Sequence, residues 1–584
     1  MISEEIEGKV LLRTLENALR FDGKADPKAV LGKILSDYPE LRSRVKEVLE
    51  LIQVTVNRIN NMDLEEQRQQ FLNLSGENLD KKRQREEKKL PPLPNVEKYD
   101  RVVMRLAPYP SGPLHIGNIR MVILNDEYAK RYKGSLYLIY DDTIGSEGKV
   151  ILPEAYDYIK DGLEWLDVKV DRTIYKSDRL SIFYDWCGKL LSGGKAYVCT
   201  CEPDLWRQSY KIKRMECPCR AKTPSQNLEE WDKMLEGYYR EGQAAVRLKT
   251  GMELADPALR DHVIMRISDK AHPRVGGKYS VWPLLEFSWA IDDYLLGISH
   301  ILRGKDLIKE DKVEEIIWDL ISAPKREFIH YGRIRFQGLS LSKSKSAKYV
   351  REGKYFGWRD PRTWSLQSLQ ARGFKPEAIR EAILDLGLSL ADIEYSPEIL
   401  YSFNRKIIDP SANRLFYVDD PVKLQIKNIH EDYLKAEPPN HPDFPDRGRR
   451  QINLRVVDNT LTVLISSSDA ASLTAGEKIR LKDLVNVEFE GKLKDYESRY
   501  LSGTIEDARK IDVKKIIQWV PVESNVVVEV IMPDGKMSRG IAEAATGELK
   551  INQVVQFERY GFVRIDSVDS ENKNIRIKAF YLHR

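Results

Sequence analysis

Residues able to do chemistry fall into three groups along the 584-residue chain. The first is His115 and Asn118 in HIGN (115–118), which follow Pro108, Pro110, Gly112 and Pro113. Fixed φ at proline and free φ at glycine break regular structure there. The pair therefore falls at a helix start, where backbone N–H groups and the macrodipole favour a phosphate. An imidazole and a carboxamide can donate hydrogen bonds to an anion whose charge grows in a transition state. The second group is the loop segment SLSKSKSAK (340–348), which offers hydroxyls and ammonium groups to a polyphosphate. Alone it reads as a basic surface loop; set across one sheet from HIGN, it completes a nucleotide site. The third is Cys199, Cys201, Cys217 and Cys219, two C-x-C pairs that suit a closed, structural Zn²⁺ site. Cys187 reads as a buried apolar residue on a helix.

These groups need elements to hold them. An apolar run at 99–106, a helix from about Ile116 and a second apolar run at 135–142 form a βαβ unit. GISHILRG (297–304) and FIHYGRIRF (328–336) supply further strands that complete the parallel sheet. The cysteine-bearing stretch between them has a different character and reads as an insertion. Helical spacing is found near the N-terminus, as in Val30, Leu31, Ile34 and Leu35, and the charged run DKKRQREEKKL (80–90) leads to a proline-stiffened linker. Helical patterns also cover 154–166, 180–191 and 361–390, and alternating β-branched segments dominate from about 404. The expected organisation is a helical region over 1–97, an α/β region over 98–195 and an insertion over 196–280. The second α/β half follows over 281–350, then a helical connection over 351–403 and β-barrels over 404–584.

Bulk properties narrow the class. A net charge of +4, from 94 basic and 90 acidic residues, does not by itself announce nucleic acid but permits one basic face. No apolar run reaches 18 residues, so no membrane helix is expected. The acidic start, MISEEIEGKV, lacks the pattern of a signal peptide, and a cytoplasmic location with reduced thiols is expected.

LAPYPSGPLHIGN (106–118) resembles the HIGH region of class I aminoacyl-tRNA synthetases, and SLSKS (340–344) resembles their KMSKS loop. More specifically, the chain resembles the glutamyl-tRNA synthetases of the archaeal type. The likeness covers nearly everything after residue 98, including IYDDT (139–143), DPALRD (256–261), IDDYLLGISHILRGKD (291–306), NRKIIDPSANRLF (404–416) and VVQFERYGFVRID (554–566). It implies an α/β Rossmann-type catalytic domain, split by an acceptor-binding insertion, with helical segments and C-terminal anticodon-binding barrels.

By the same resemblance, Pro108, Gly112, His115, Gly117 and Asn118 handle ATP from one side, and Ser342, Lys343 and Ser344 from the other. Arg105 and Arg303 match the arginines around the substrate's side-chain carboxylate, and Asp141 the acid that receives its α-amino group. Implied partners are ATP with Mg²⁺, glutamate and tRNA-Glu, with tRNA-Gln left open and neither DNA nor a membrane involved. In the barrels, Arg414, Lys423, Lys427, Arg447, Arg449, Arg450, Trp519 and Tyr560 are candidates for phosphate contacts and base stacking.

Three departures stand out. Asn118 replaces the second HIGH histidine, Ser340 the first KMSKS lysine, and Leu285 a substrate-contacting tyrosine for which Tyr279 is a candidate substitute. They keep open a non-catalytic tRNA-binding relative. A glutaminyl enzyme is the other alternative; Arg303 argues against it, since that position is small and uncharged in glutaminyl enzymes.

Overall fold

The structure, a computed structural model, describes residues 4–20, 23–38, 41, 44–75, 90–144, 150–339, 341–492, 495–502, 511–513, 515–571 and 574–584. Most of the charged run at 80–90 and Ser340 lie outside them.

Two compact units divide the chain at Lys89 and Leu90. The first holds four helices: α1 (Glu4–Arg20), α2 (Pro27–Asp37), α3 (Val45–Asn60) and α4 (Leu64–Ser75). In α3, Val48, Ile52, Val56 and Ile59 recur at helical spacing and are buried together, so one apolar stripe drives packing. Asp26 starts α2 by accepting from the Ala29 N–H at 2.8 Å, with Pro27 at the first helical position.

The second unit begins with the βαβ core. Strand β1 (Val103–Leu106), helix α5 (Ile119–Arg131) and strand β2 (Ser135–Tyr140) are followed by helix α6 (Ala155–Trp165), strand β3 (Arg172–Tyr175) and helix α7 (Leu180–Ser192). The three strands are parallel in the order β1-β2-β3. Met104, Leu136, Ile119 and Val122 are fully buried between sheet and helix. Strand β1 starts at Val103 rather than 99; residues 96–98 form a single helical turn and 99–101 bend before the strand.

The insertion is an antiparallel sheet of β4 (Ala196–Cys199), β5 (Ala245–Leu248), β6 (Val263–Ile267) and β7 (Val281–Pro283), with helix α8 (Pro224–Leu235). Its last strand extends past the expected limit of 280. Helix α9 (Leu285–Leu295) then leads to β8 (His300–Gly304), α10 (Ile308–Ile321) and β9 (Glu327–Tyr331), with β8 and β9 parallel. The Ser299 N–H donates to the Val103 carbonyl at 2.9 Å and the Val103 N–H donates to Ser299 Oγ at 2.8 Å, hanging this second half on β1.

The helical stretch expected over 361–390 is made of short pieces. A turn at Pro361–Thr363 precedes helices Leu366–Arg372 and Pro376–Leu386, and Gly373 lies between them at φ +101°. The helix Pro397–Ile408 then crosses the boundary expected at 403/404, so barrel strands begin only at Arg414.

Each C-terminal sheet has seven strands. In one, the edge strands Arg414–Leu415 and Tyr417–Asp419 are halves of a single segment, pairing with Val554–Phe557 and Met537–Glu543. In the other, Lys515–Ile517 and Val520–Pro521 play the same part. A sheet whose two edges belong to one short segment has curled back on itself, which removes exposed edges. Along 415–418, Leu415 and Tyr417 enter one core while Phe416 and Val418 enter the other, as strand alternation requires. Among the described residues, no helix is long and apolar enough to cross a membrane.

Candidate active site

The turn after β1 is pinned from below. Leu366 donates its N–H to the Leu114 carbonyl at 2.9 Å, and Ile116 donates to the Trp364 carbonyl at 3.0 Å. Pro108 and Pro110 accept from the Asp141 and Leu152 N–H groups at 3.1 and 2.9 Å, tying the turn to the end of β2. Gly112 sits at φ +146°, a conformation that disfavours a side chain, and a Cβ there would come within 3.0 Å of the Trp358 ring.

His115 then caps its own helix. Its Nδ1 accepts from the Gly117 N–H at 3.1 Å, and its own N–H donates to Asn118 Oδ1 at 3.2 Å. Both halves of a capping box are therefore made within four residues. A ring nitrogen that accepts carries no proton, so the neutral imidazole has its proton on Nε2. Burial, helped by the charge of Lys343, pushes the His115 pKa down to about 4. His115 is thus a neutral donor at physiological pH. Asn118 spends its carbonyl oxygen on the cap and keeps its NH₂ as a second donor, which accounts for an amide at this position. Gly117 leaves room for this arrangement, since a Cβ there would lie 2.9 Å from His115 Cε1.

The SLSKS segment differs from the loop expected. Ser342 is a helix cap, with its hydroxyl accepting from the Lys345 N–H at 3.4 Å, and Lys343 opens helix α11 (Lys343–Arg351). Ser344 Oγ lies 3.3 Å from Ser342 Oγ. A cleft of about 510 Å³ is lined by Pro108, His115, Asn118, Lys343, Ser344 and Arg351, among others. The turn after β1 and the start of α11 therefore face the same space. Arg351 had no sequence signal, because only the helix returns it to the cleft.

The residues expected around the amino acid are buried, and each carries an internal partner. Arg105 makes two hydrogen bonds to Asp293 at 2.6 and 2.7 Å. Arg303 donates from Nε and Nη2 to Asp311 Oδ1, and its Nη1 lies 2.7 Å from Glu314 Oε1. Asp141 accepts from Lys176 Nζ at 2.9 Å, and Lys176, fully buried, also donates to Ser288 at 2.7 Å. The Trp289 ring gathers all three cations, with Arg105 and Arg303 at 4.9 Å and Lys176 at 5.2 Å from its centroid. Arg105, Arg303 and Asp141, the residues expected around the amino acid, are thus gathered at one buried ring, each with an acidic or basic partner of the chain. Tyr279, the candidate substitute for Leu285, packs edge-on against Tyr184 and Trp282 instead.

The four cysteine sulfurs converge. Cys199 ends β4, and Cys217 precedes the turn Pro218–Ala221 that carries Cys219. Sγ separations are 4.0 Å for Cys199–Cys217 and 3.8 Å for Cys201–Cys219, and all four lie within 4.8 Å of one another. A tetrahedron with Zn–S bonds of about 2.3 Å has edges of about 3.8 Å, so the donor set fits zinc. Cys187 is fully buried in the main core.

Most of the barrel candidates have partners within the chain. Arg414 pairs with Asp409 at 2.6 Å, Arg450 is buried against Glu543 at 2.6 Å, and Lys427 pairs with Glu497 at 2.7 Å. Arg447 and Arg449 donate to backbone carbonyls of Pro410, Ser411 and Glu437. Trp519 is fully buried at the bend of its barrel's closing segment and donates to the Lys482 carbonyl. Lys423 remains exposed, and Tyr560 lines a cavity of about 650 Å³ with Arg559 and Arg584.

The family described as tRNA synthetases class I (E and Q), catalytic domain, matches residues 101–410. The chain belongs to that family. Two anticodon-binding domains of the same class match residues 412–505 and 516–566, within the β-rich C-terminal part. A glutamate–tRNA ligase of Pyrococcus furiosus is 42% identical over 589 residues, covering 99% of this chain and 100% of that one. The ligase of Methanocaldococcus jannaschii is 42% identical over 580 residues, with 99% and 100% covered. That of Methanopyrus kandleri is 41% identical over 587 residues, with both chains covered completely.

Proposed function

We propose that this synthetase is a cytoplasmic glutamate–tRNA ligase, and the likeness over the whole chain to ligases of that name carries the reading. The glutamate α-carboxylate attacks the ATP α-phosphorus, pyrophosphate leaves, and a terminal ribose hydroxyl of tRNA-Glu takes the acyl group with release of AMP. No protein nucleophile is needed. His115 Nε2–H and the Asn118 amide stabilise charge on the phosphates from one wall of the cleft, and Lys343 with Ser342 and Ser344 does so from the other. Pro108, Gly112 and Gly117 shape the turn that holds His115. Mg²⁺ arrives with ATP and neutralises its polyphosphate. Arg303 selects the acidic side chain, with Arg105 and Asp141 framing the substrate; the Trp289 face that Arg105 and Arg303 share supports this role. The barrels carry the anticodon contacts. The test is AMP release: it should require glutamate and tRNA together, and release supported by glutamine but not by glutamate would refute the reading.

A structural Zn²⁺ held by Cys199, Cys201, Cys217 and Cys219 belongs to the same proposal, closing the end of β4 onto the turn that carries Cys219. The purified protein should contain about one zinc per chain, and Cys217→Ser should lose it and lower the unfolding temperature. A metal-free protein with unchanged melting would show the cysteines to be a small thiol core.

A further inference from the structure

Helix α10 begins five residues after Arg303 and turns its first two turns back against β8. Asp311 and Glu314 stand three residues apart on that helix, so both reach the same guanidinium. Asp311 takes the Nε and Nη2 edge in hydrogen bonds. Glu314 takes the other edge differently. Its Oε1 lies 2.7 Å from Nη1, an ion-pair contact that occupies this edge. Glu314 is fully buried, and the guanidinium is covered by the Trp289 and Phe328 rings at 4.9 and 5.0 Å.

Other charges face this pair from every side. Arg105 on β1 and Asp293 on α9 act on Glu314, and His330 on β9 holds the far oxygen of Asp311 at 2.7 Å. Lys176 and Asp141 pair across the same Trp289 ring. Three cations, Arg105, Lys176 and Arg303, thus meet four carboxyl groups, those of Asp141, Asp293, Asp311 and Glu314. An acidic substrate adds a fifth. Two carboxylates at one edge of a guanidinium in a dry site cannot both stay ionised at ordinary pH.

We propose that Glu314 competes with the substrate's side-chain carboxylate for the Nη1 edge of Arg303, so that glutamate enters as Glu314 takes up a proton. This rests on the glutamate reading above. The balance is one proton from solvent onto one Glu314 oxygen, with no other bond made or broken. Burial pushes the Glu314 carboxyl up to about 8; Asp293 adds to the effect, and Arg303 and Arg105 oppose it. The protonated, binding-competent form therefore predominates below that value and is lost above it. Glu314 in this way sets how strongly the pocket tolerates an acidic substrate.

The test is the pH dependence of the glutamate KM in ATP–pyrophosphate exchange by the full chain, compared with Glu314→Gln. Wild-type KM should rise toward tenfold per pH unit above about pH 8. The isosteric variant should lack that rise and bind glutamate roughly tenfold more tightly near pH 9, with kcat within about twofold. The α-amino group of the substrate titrates equally in both proteins and cancels. A second measurement needs no variant. Calorimetric titration of the wild-type protein with L-glutamate near pH 9, in buffers of different ionisation enthalpy, should show about one proton taken up per glutamate bound. Identical KM profiles in the two proteins, or no proton uptake, would overturn the proposal while leaving the ligase reading intact. Absence of glutamate-dependent exchange in both proteins at every pH would overturn both.

Discussion

Lys343→Ala is expected to slow glutamyl-adenylate formation by roughly 10²–10³-fold, read as ATP–pyrophosphate exchange. The size follows from losing one preorganised charge at the place where phosphate charge develops. Ser342 caps α11, so the first helical residue, Lys343, has a fixed backbone beside the cleft. Its field already acts on the opposite wall, where it helps keep His115 neutral. The same field would act on a phosphate between them. Affinity for tRNA should change by less than about twofold, since the residues that line the cleft with Lys343 come from the turn after β1, α5, the stretch after β2 and α11. Loss of tRNA binding with normal exchange would show that α11 serves the nucleic acid instead.

Arg303→Cys is expected to weaken glutamate recognition by about 2–5 kcal/mol, the usual cost of removing the partner of a buried charge. The structure adds a second effect. Arg303 is the partner of Asp311 and faces Glu314, so its removal strands acids in the core and should lower stability by about 3–5 kcal/mol. Denaturant unfolding and glutamate KM together separate the two roles. A triple variant, Arg303→Leu with Asp311→Asn and Glu314→Gln, removes the charges as a set and should regain most of the stability. It should not regain glutamate selection. Recovery of both would mean that the substrate carboxylate is held elsewhere.

The parts of the site legible in the sequence were those written locally. HIGN after a Pro/Gly turn, the strand patterns on either side, and two C-x-C pairs each lie within a few residues, and the backbone rules that read them are short-range. Even the cap that fixes the His115 tautomer closes within 115–118. Partnerships over long sequence distances were not legible. Lys176 reaches Asp141 across 35 residues and Asp293 reaches Arg105 across 188, and no periodicity marks either pairing. Asp311 and Glu314 look like the polar face of an ordinary helix until β8 is placed beside them. The partners of the barrel bases were not legible for a related reason. Arg450 and Arg414 satisfy acids, and Trp519 fills the bend that closes its barrel, roles that depend on strand register rather than composition.

The decisive measurement is aminoacylation of separate tRNA-Glu and tRNA-Gln transcripts, each offered labelled glutamate and labelled glutamine with ATP. Glutamate should be attached to tRNA-Glu, glutamine to neither transcript, and the glutamate arm with tRNA-Gln fixes the tRNA range. Attachment of glutamine in place of glutamate, or binding of both transcripts with no aminoacylation at high enzyme and ATP, would contradict the assignment of this cleft to a glutamate–tRNA ligase.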